Sequence, residues 1–113
     1  MDVGEIVVVS CSGPREKFWG VLLELTAAGA TVRGVPLDAC EDWLRQHAKE
    51  GPTMIGPVTI FLPAHRLERI EIEESSGAVE CFADRFRRMT RRDPAEALLG
   101  SKAPRGGGDG PQM

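Results

Sequence analysis

Residues 58–74 read VTIFLPAHRLERIEIEE, and the fold turns on how they are divided. Residues 58–62 are apolar and rich in β-branched side chains, the composition of a strand. In residues 67–74, Ile70 and Ile72 point one way and Glu71 and Glu73 the other, the alternation of a half-buried strand. Only Pro63, Ala64, His65 and Arg66 separate the two, so a single tight bend joins them.

Upstream, residues 5–10 (EIVVVS) form another β-branched run, closed by the turn chemistry of Cys11, Ser12, Gly13 and Pro14. Residues 17–26 (KFWGVLLELT) are long enough for a helix, but Gly20 sits mid-run. Trp19, Val21, Leu23 and Leu25 alternate with Phe18, Gly20, Leu22 and Glu24, which favours a strand. After Ala27, Ala28 and Gly29, residues 31–37 (TVRGVPL) return as a third strand, with Pro36 confined to its exit.

Two helices complete the pattern. Asp38 and Glu41 have capping-box spacing, and Cys40, Trp43, Leu44, His47 and Ala48 fall at helical intervals, predicting a helix over 38–49 stopped by Gly51 and Pro52. Glu41 and Arg45 are placed to pair on its wet side. Val79, Phe82, Phe86 and Met89 recur at three and four, predicting a C-terminal helix at about 78–91, broken by Asp93 and Pro94. Residues 1–93 thus read as one domain, and residues 94–113, where Gly and Pro come to dominate, as a flexible tail. Five short strands need closure or cover for their edges. The expected fold is therefore mainly β with two helices: a small, strongly bent five-stranded barrel with an inserted helix and a C-terminal helix. The alternative is an α+β sandwich with an open antiparallel sheet.

Composition narrows the function. The 113 residues include 42% hydrophobic and 27% charged side chains, ordinary values for one soluble domain. Aromatic residues are 5% with no Tyr, which leaves few side chains for a base-stacking platform. The net charge of −3 is unevenly spread. Residues 1–80 carry 13 acidic and 7 basic side chains, residues 81–113 carry 4 and 7. Three cysteines, Cys11, Cys40 and Cys81, form no C-x-x-C pair, so neither a zinc knuckle nor a disulfide framework is indicated and reduced thiols in a cytoplasm fit best. No signal-peptide pattern opens the sequence, and no apolar run approaches the ~20 residues of a membrane span.

Residues 19–35 (WGVLLELTAAGATVRGV) resemble the first signature of the Sm-like proteins, with Gly20, Leu22 and Leu25 at its glycine and apolar positions. Residues 60–70 (IFLPAHRLERI) resemble the second, through Leu62, Leu67 and Ile70. The resemblance covers roughly residues 5–74. It implies a five-stranded SH3-like barrel whose bend before the last strand is a short 3₁₀ piece. It also implies assembly into rings through edge strands, here 58–62 and 67–74, and binding of RNA. The RNA-reading positions depart from the family: Thr26, Ala28 and Ala30 stand in the first loop, and Pro63 and Ala64 where the second signature has Arg-Gly.

Catalytic constellations are weak. Cys11 and Arg15 flank a turn that is poor in glycine for a phosphate cradle. His47 and His65 are the only histidines, with no orienting acid at a usable spacing, and they are too few for a metal site. Glu68, Glu71, Glu73 and Glu74 form an acidic run, in which Glu71 and Glu73 read as the solvated face of a half-buried strand. The sharper feature is the arginine run. Arg85, Arg88 and Arg92 share one helical side, and with Arg91 they are the candidate contacts for protein or phosphate. His65 and Arg66 are candidates to face a ligand at the bend. The expected function is a non-enzymatic Sm-like module for protein interaction, assembly or regulation, without cofactor, metal or membrane, and with a homo-oligomer among its partners. The alternative is weak, non-specific RNA binding through the Arg85–Arg92 segment.

Overall fold

In the computed structural model, which describes residues 1–49 and 54–100, the chain runs β1 (Ile6–Cys11), β2 (Glu16–Thr26), β3 (Gly29–Pro36), a 3₁₀ turn (Leu37–Ala39), α1 (Cys40–Ala48), β4 (Val58–Pro63), a second 3₁₀ turn (Ala64–Arg66), β5 (Leu67–Ile72), α2 (Phe82–Thr90) and α3 (Pro94–Gly100). The five strands form one antiparallel sheet in the order β4-β3-β2-β1-β5. The alternation read in residues 17–26 is the alternation of β2. Trp19 and Val21 join Ile6 and Val35 beneath the helices, while Leu22 joins Val7, Val9, Cys11, Ala30, Val32 and Leu62 on the opposite face.

The sheet is strongly curved, and chain length forces this. β4 and β5 are its two edges, with three strands between them. Flat strands spaced ~4.8 Å apart would hold these edges roughly 19 Å apart. The 3₁₀ turn Ala64–Arg66 rises only ~2 Å per residue, so three residues cannot bridge that gap. The sheet curls until the end of β4 meets the start of β5, and Leu62 and Leu67 consequently pack into the same core. Gly20 and Gly34 face each other across β2 and β3. A Cβ on Gly34 would lie 2.1 Å from the Trp19 carbonyl oxygen and 2.7 Å from Gly20 Cα, so the two strands approach closely at this pair because neither residue has a side chain.

Curvature does not complete a barrel. No ladder joins β4 to β5 among the described residues, and the sheet remains open where a closed barrel was expected. Helices cover its other face, and among the described residues they number three rather than two. The core of that face is aromatic: Trp43 stacks on Phe86 at 4.8 Å, and Trp19 meets Trp43 at 5.4 Å and Phe82 edge-on at 4.8 Å.

Helix boundaries depart from the sequence reading for local reasons. Residues 37–39 wind as 3₁₀, and Asp38 makes no capping bond to α1. α2 begins at Phe82 rather than near 78, because Val79 is held in a small bridge with Ser76. Glu73 caps α2, accepting hydrogen bonds from the Phe82 and Ala83 amides and from Trp19 Nε1. It is therefore a structural acceptor and not part of a solvated face. Arg91 then adopts φ 60°, in the left-handed region, and ends α2. Residues 94–100, expected to be flexible, form α3 and place Ala97 and Leu98 in the core. The Asp93-Pro94 pair that breaks α2 starts α3: Asp93 accepts from the Glu96 amide and Pro94 takes the first helical position. The expected helix stop at Gly51 and Pro52 and the tail from 101 lie outside the described residues.

Candidate functional site

α1, the segment 56–57, β3 and the α2–α3 junction line an open groove of about 930 Å³. Its cations are Arg33, Lys49, Arg91 and Arg92, and its acids are Asp93 and Glu96. The arginine run does not reach it as one face. Arg85 grips Glu41 of α1 with both Nη atoms, the Nη2–Oε1 distance being 2.7 Å. Arg88 holds Glu80 through two bonds of 2.9 Å. Arg87 pairs with Asp84 at 2.6 Å and Asp93 at 3.5 Å. The guanidinium bonds hold the Glu41 and Glu80 carboxyls below the usual carboxylate range. Arg85 and Arg88 are thus spent within the chain. The left-handed turn at Arg91 also swings Arg92 off the helical side it was expected to share with them.

Arg92 Nη1 lies 2.9 Å from His47 Nδ1. Arginine can only donate, so Nδ1 accepts and His47 carries its proton on Nε2. Burial, and next the charge of Arg92, push the His47 pKa down, in keeping with a neutral ring. Arg33 donates to the Leu98 carbonyl at 3.1 Å and to Thr59 Oγ1 at 3.3 Å, bracing α3 against β3 and β4. Arg91 and Lys49 are exposed at the groove, and neither has a side-chain hydrogen bond or ion pair among the described residues. Behind them, Trp43 is fully buried, and its Nε1 finds no acceptor among the described residues. Gln46 lines the same groove. Its Oε1 accepts from the Ile55 amide at 3.0 Å, but its buried Nε2 has no partner there.

The bend at 63–66 divides its two candidates. His65 is exposed. Arg66 turns inward, donating to the Ser12 carbonyl at 3.0 Å and the Pro14 carbonyl at 2.7 Å and pairing with Glu16 at 3.3 Å. It clamps the β1–β2 turn instead of facing a ligand. The loops singled out by the Sm-like resemblance do meet. Gly29 pairs with Pro63, Ala30 with Leu62, and the Ala64 amide donates to the Ala28 carbonyl at 2.8 Å. Of these side chains only Thr26 is polar, and its Oγ1 accepts from the Ala28 amide at 3.1 Å.

The cysteines lie apart, and the structure ranks their reactivity. Cys11 and Cys40 are buried, whereas Cys81 is partly exposed at the head of α2. Burial pushes the Cys40 thiol up to about 12 and raises Cys11 as well, the nearby Arg66 only partly opposing it. Iodoacetamide will modify Cys81 first in the folded protein, and peptide mass mapping will show Cys11 and Cys40 reacting only on unfolding. Rapid labelling of Cys11 would contradict this order.

Sequence reading missed Trp43, Gln46 and Lys49 as groove residues. Trp43 and Gln46 carry no signal beyond helical spacing, and Lys49 none beyond its charge. No family model, no curated protein and no solved structure matches this chain.

Proposed function

We propose that this chain is a non-enzymatic, Sm-like assembly module of the cytoplasm, whose copies join through the free edges of their sheets. One observation carries the reading. β4 is an edge strand without a charged side chain, and it leaves Val58 48% and Phe61 55% exposed. Edges that must stay single are blunted by charge, proline or cover. Neither a charge nor a proline interrupts β4 before Pro63 at its end. The opposite edge, β5, bears Glu68, Arg69 and Glu71, with Arg69 and Glu71 paired at 3.5 Å. These charges disfavour an apolar β5–β5 contact and leave the β4 edge of one copy to meet the β5 edge of the next. Such a contact is head-to-tail, and it builds a ring when the rotation closes. The 3₁₀ turn Ala64–Arg66 and the meeting of the 26–30 and 62–64 segments support the Sm-like part of the reading. Three free, unpaired cysteines suit a reducing compartment. No helix among the described residues is long and apolar enough to cross a membrane.

Light scattering coupled to gel filtration tests the assembly. The wild type is expected at a multiple of 12.3 kDa. Phe61→Lys, which charges the β4 edge at an exposed site, is expected at the monomer mass with an unchanged circular dichroism spectrum. A wild type that remains monomeric at millimolar concentration sinks the proposal.

The second reading is phosphate contact by RNA along the Arg85–Arg92 segment. It keeps support from Arg91 and Arg92 at the groove, but it loses Arg85 and Arg88 to Glu41 and Glu80.

A further inference from the structure

We infer that the groove between α1, β3 and the α2–α3 junction binds a small phosphate-bearing anion. The inference does not rest on the assembly reading, because the observations that carry it are the groove's charges and hydrogen bonds on the helical face and not the exposed edge of β4.

Charge is the first support. Lys49, Arg91 and Arg92 bring positive charge to the groove that no acidic partner among the described residues neutralises. Of the two acids present, Asp93 is engaged by Arg87 at 3.5 Å and by the first turn of α3. Glu96 stands alone against the surplus. The histidine in the wall adds no cation, since its Nδ1 is occupied as an acceptor from Arg92.

Hydrogen-bond accounting is the second and independent support. Buried polar groups are nearly always satisfied, so each exception asks for a partner. The two exceptions among the residues of this groove are Trp43 Nε1 and Gln46 Nε2, both donors and both shut off from solvent, so that a ligand reaches them only when the wall shifts. A ligand that completes this wall brings acceptors and no donors. Phosphate oxygens do so, and they match the forked donors of arginine. A metal ion is not matched in this way: among the described residues no three His, Cys, Asp or Glu side chains gather to hold one, and the two carboxylates here stand among four cations. The volume, about 930 Å³, is in the range that encloses a small organic ligand.

The same accounting supplies the test. The protein has two tryptophans. Trp19 Nε1 is already bonded to Glu73 at 3.1 Å, and Trp43 Nε1 is not bonded. In a nitrogen–proton correlation spectrum, sodium pyrophosphate or ATP at low salt is expected to shift the Trp43 indole signal and leave that of Trp19 in place. ATP binding tighter than pyrophosphate identifies a nucleotide-like ester, and equal binding identifies inorganic phosphate. Either result upholds the site. Arg92→Gln and Arg91→Gly should each weaken binding by about tenfold, the loss of one charge-assisted contact. Arg91→Gly suits the left-handed backbone at that position, so the fold is retained. Arg88→Gln, outside the groove, should bind as wild type does. The inference is overturned if neither probe shifts the Trp43 signal at millimolar concentration, or if Arg88→Gln weakens binding as much as Arg92→Gln. It is equally overturned if single-stranded RNA shifts the signal and both small probes fail, which would return these arginines to the RNA reading.

Discussion

Trp43→Ala will cost about 3–5 kcal/mol of folding stability, the range for emptying a fully buried aromatic site. Trp43 is the hinge of the helical layer. It stacks on Phe86 of α2 at 4.8 Å with its plane tilted 17°, meets Trp19 of the sheet at 5.4 Å, and packs against His47 at 4.6 Å. The cavity cannot collapse easily, because its walls belong to three different elements. Small domains are held by roughly 5–15 kcal/mol in all, so the variant should stand near the limit of folding. Urea titration followed by circular dichroism will measure the loss. Trp43→Phe, which retains an aromatic ring at the site, should cost clearly less. A loss below about 1 kcal/mol for the alanine variant, within surface-substitution range, would mean that α1 is not docked as described.

Gly34→Ala is expected to be comparably damaging, although it adds one carbon only. The new Cβ would sit 2.1 Å from the Trp19 carbonyl oxygen and 2.7 Å from Gly20 Cα. Both obstacles are backbone, so no side chain can rotate away. Relief requires β2 and β3 to separate at the centre of the sheet, which breaks ladder hydrogen bonds and opens the core on both faces. Overpacking ordinarily costs about 1–3 kcal/mol, and this position belongs at or above the upper end. Gly56→Ala is the control. No described residue lies within 4 Å of its Cβ position, and its melting temperature should match the wild type. Thermal unfolding of the pair would expose an error in the sheet geometry if both variants melted alike.

Much of the strand pattern was legible because it is local. Alternation in residues 17–26 and 67–72 follows from the two-residue period of a pleated strand, whatever the partner. The tight bend at 63–66 was legible from the shortness of the gap between two apolar runs, and its 3₁₀ form was what the Sm-like resemblance implied. Helix limits were less so. The start of α2 depends on Glu73, nine residues before Phe82, and periodicity does not register a cap supplied from that distance. The apolar spacing of Val79 and Met89 misled for a related reason: these residues are 72% and 46% exposed, and the buried positions of α2 are Ala83 and Phe86. Asp93 and Pro94 were read as an ending because a proline stops the helix before it, yet the same pair is a good beginning for the next one.

The candidate site divides along the same line. Sequence by itself determined the five strands, the concentration of arginine after residue 84, and the absence of polar side chains at 28, 30, 63 and 64, the positions that the Sm-like resemblance singles out. These are properties of residue type and short spacing. Only the tertiary structure decided which arginines remain at a surface groove. Arg85 meets Glu41 across 44 residues, and Arg92 meets His47 across 45, so no local pattern distinguishes a spent cation from an available one. Glu41 was placed to pair with Arg45 on its own helix, but Arg45 binds Asp42 and leaves Glu41 to α2. The orphan donors of Trp43 and Gln46 are likewise a tertiary product. Each is an ordinary helix residue until packing removes its water, and a polar group without a partner has meaning only once it is buried.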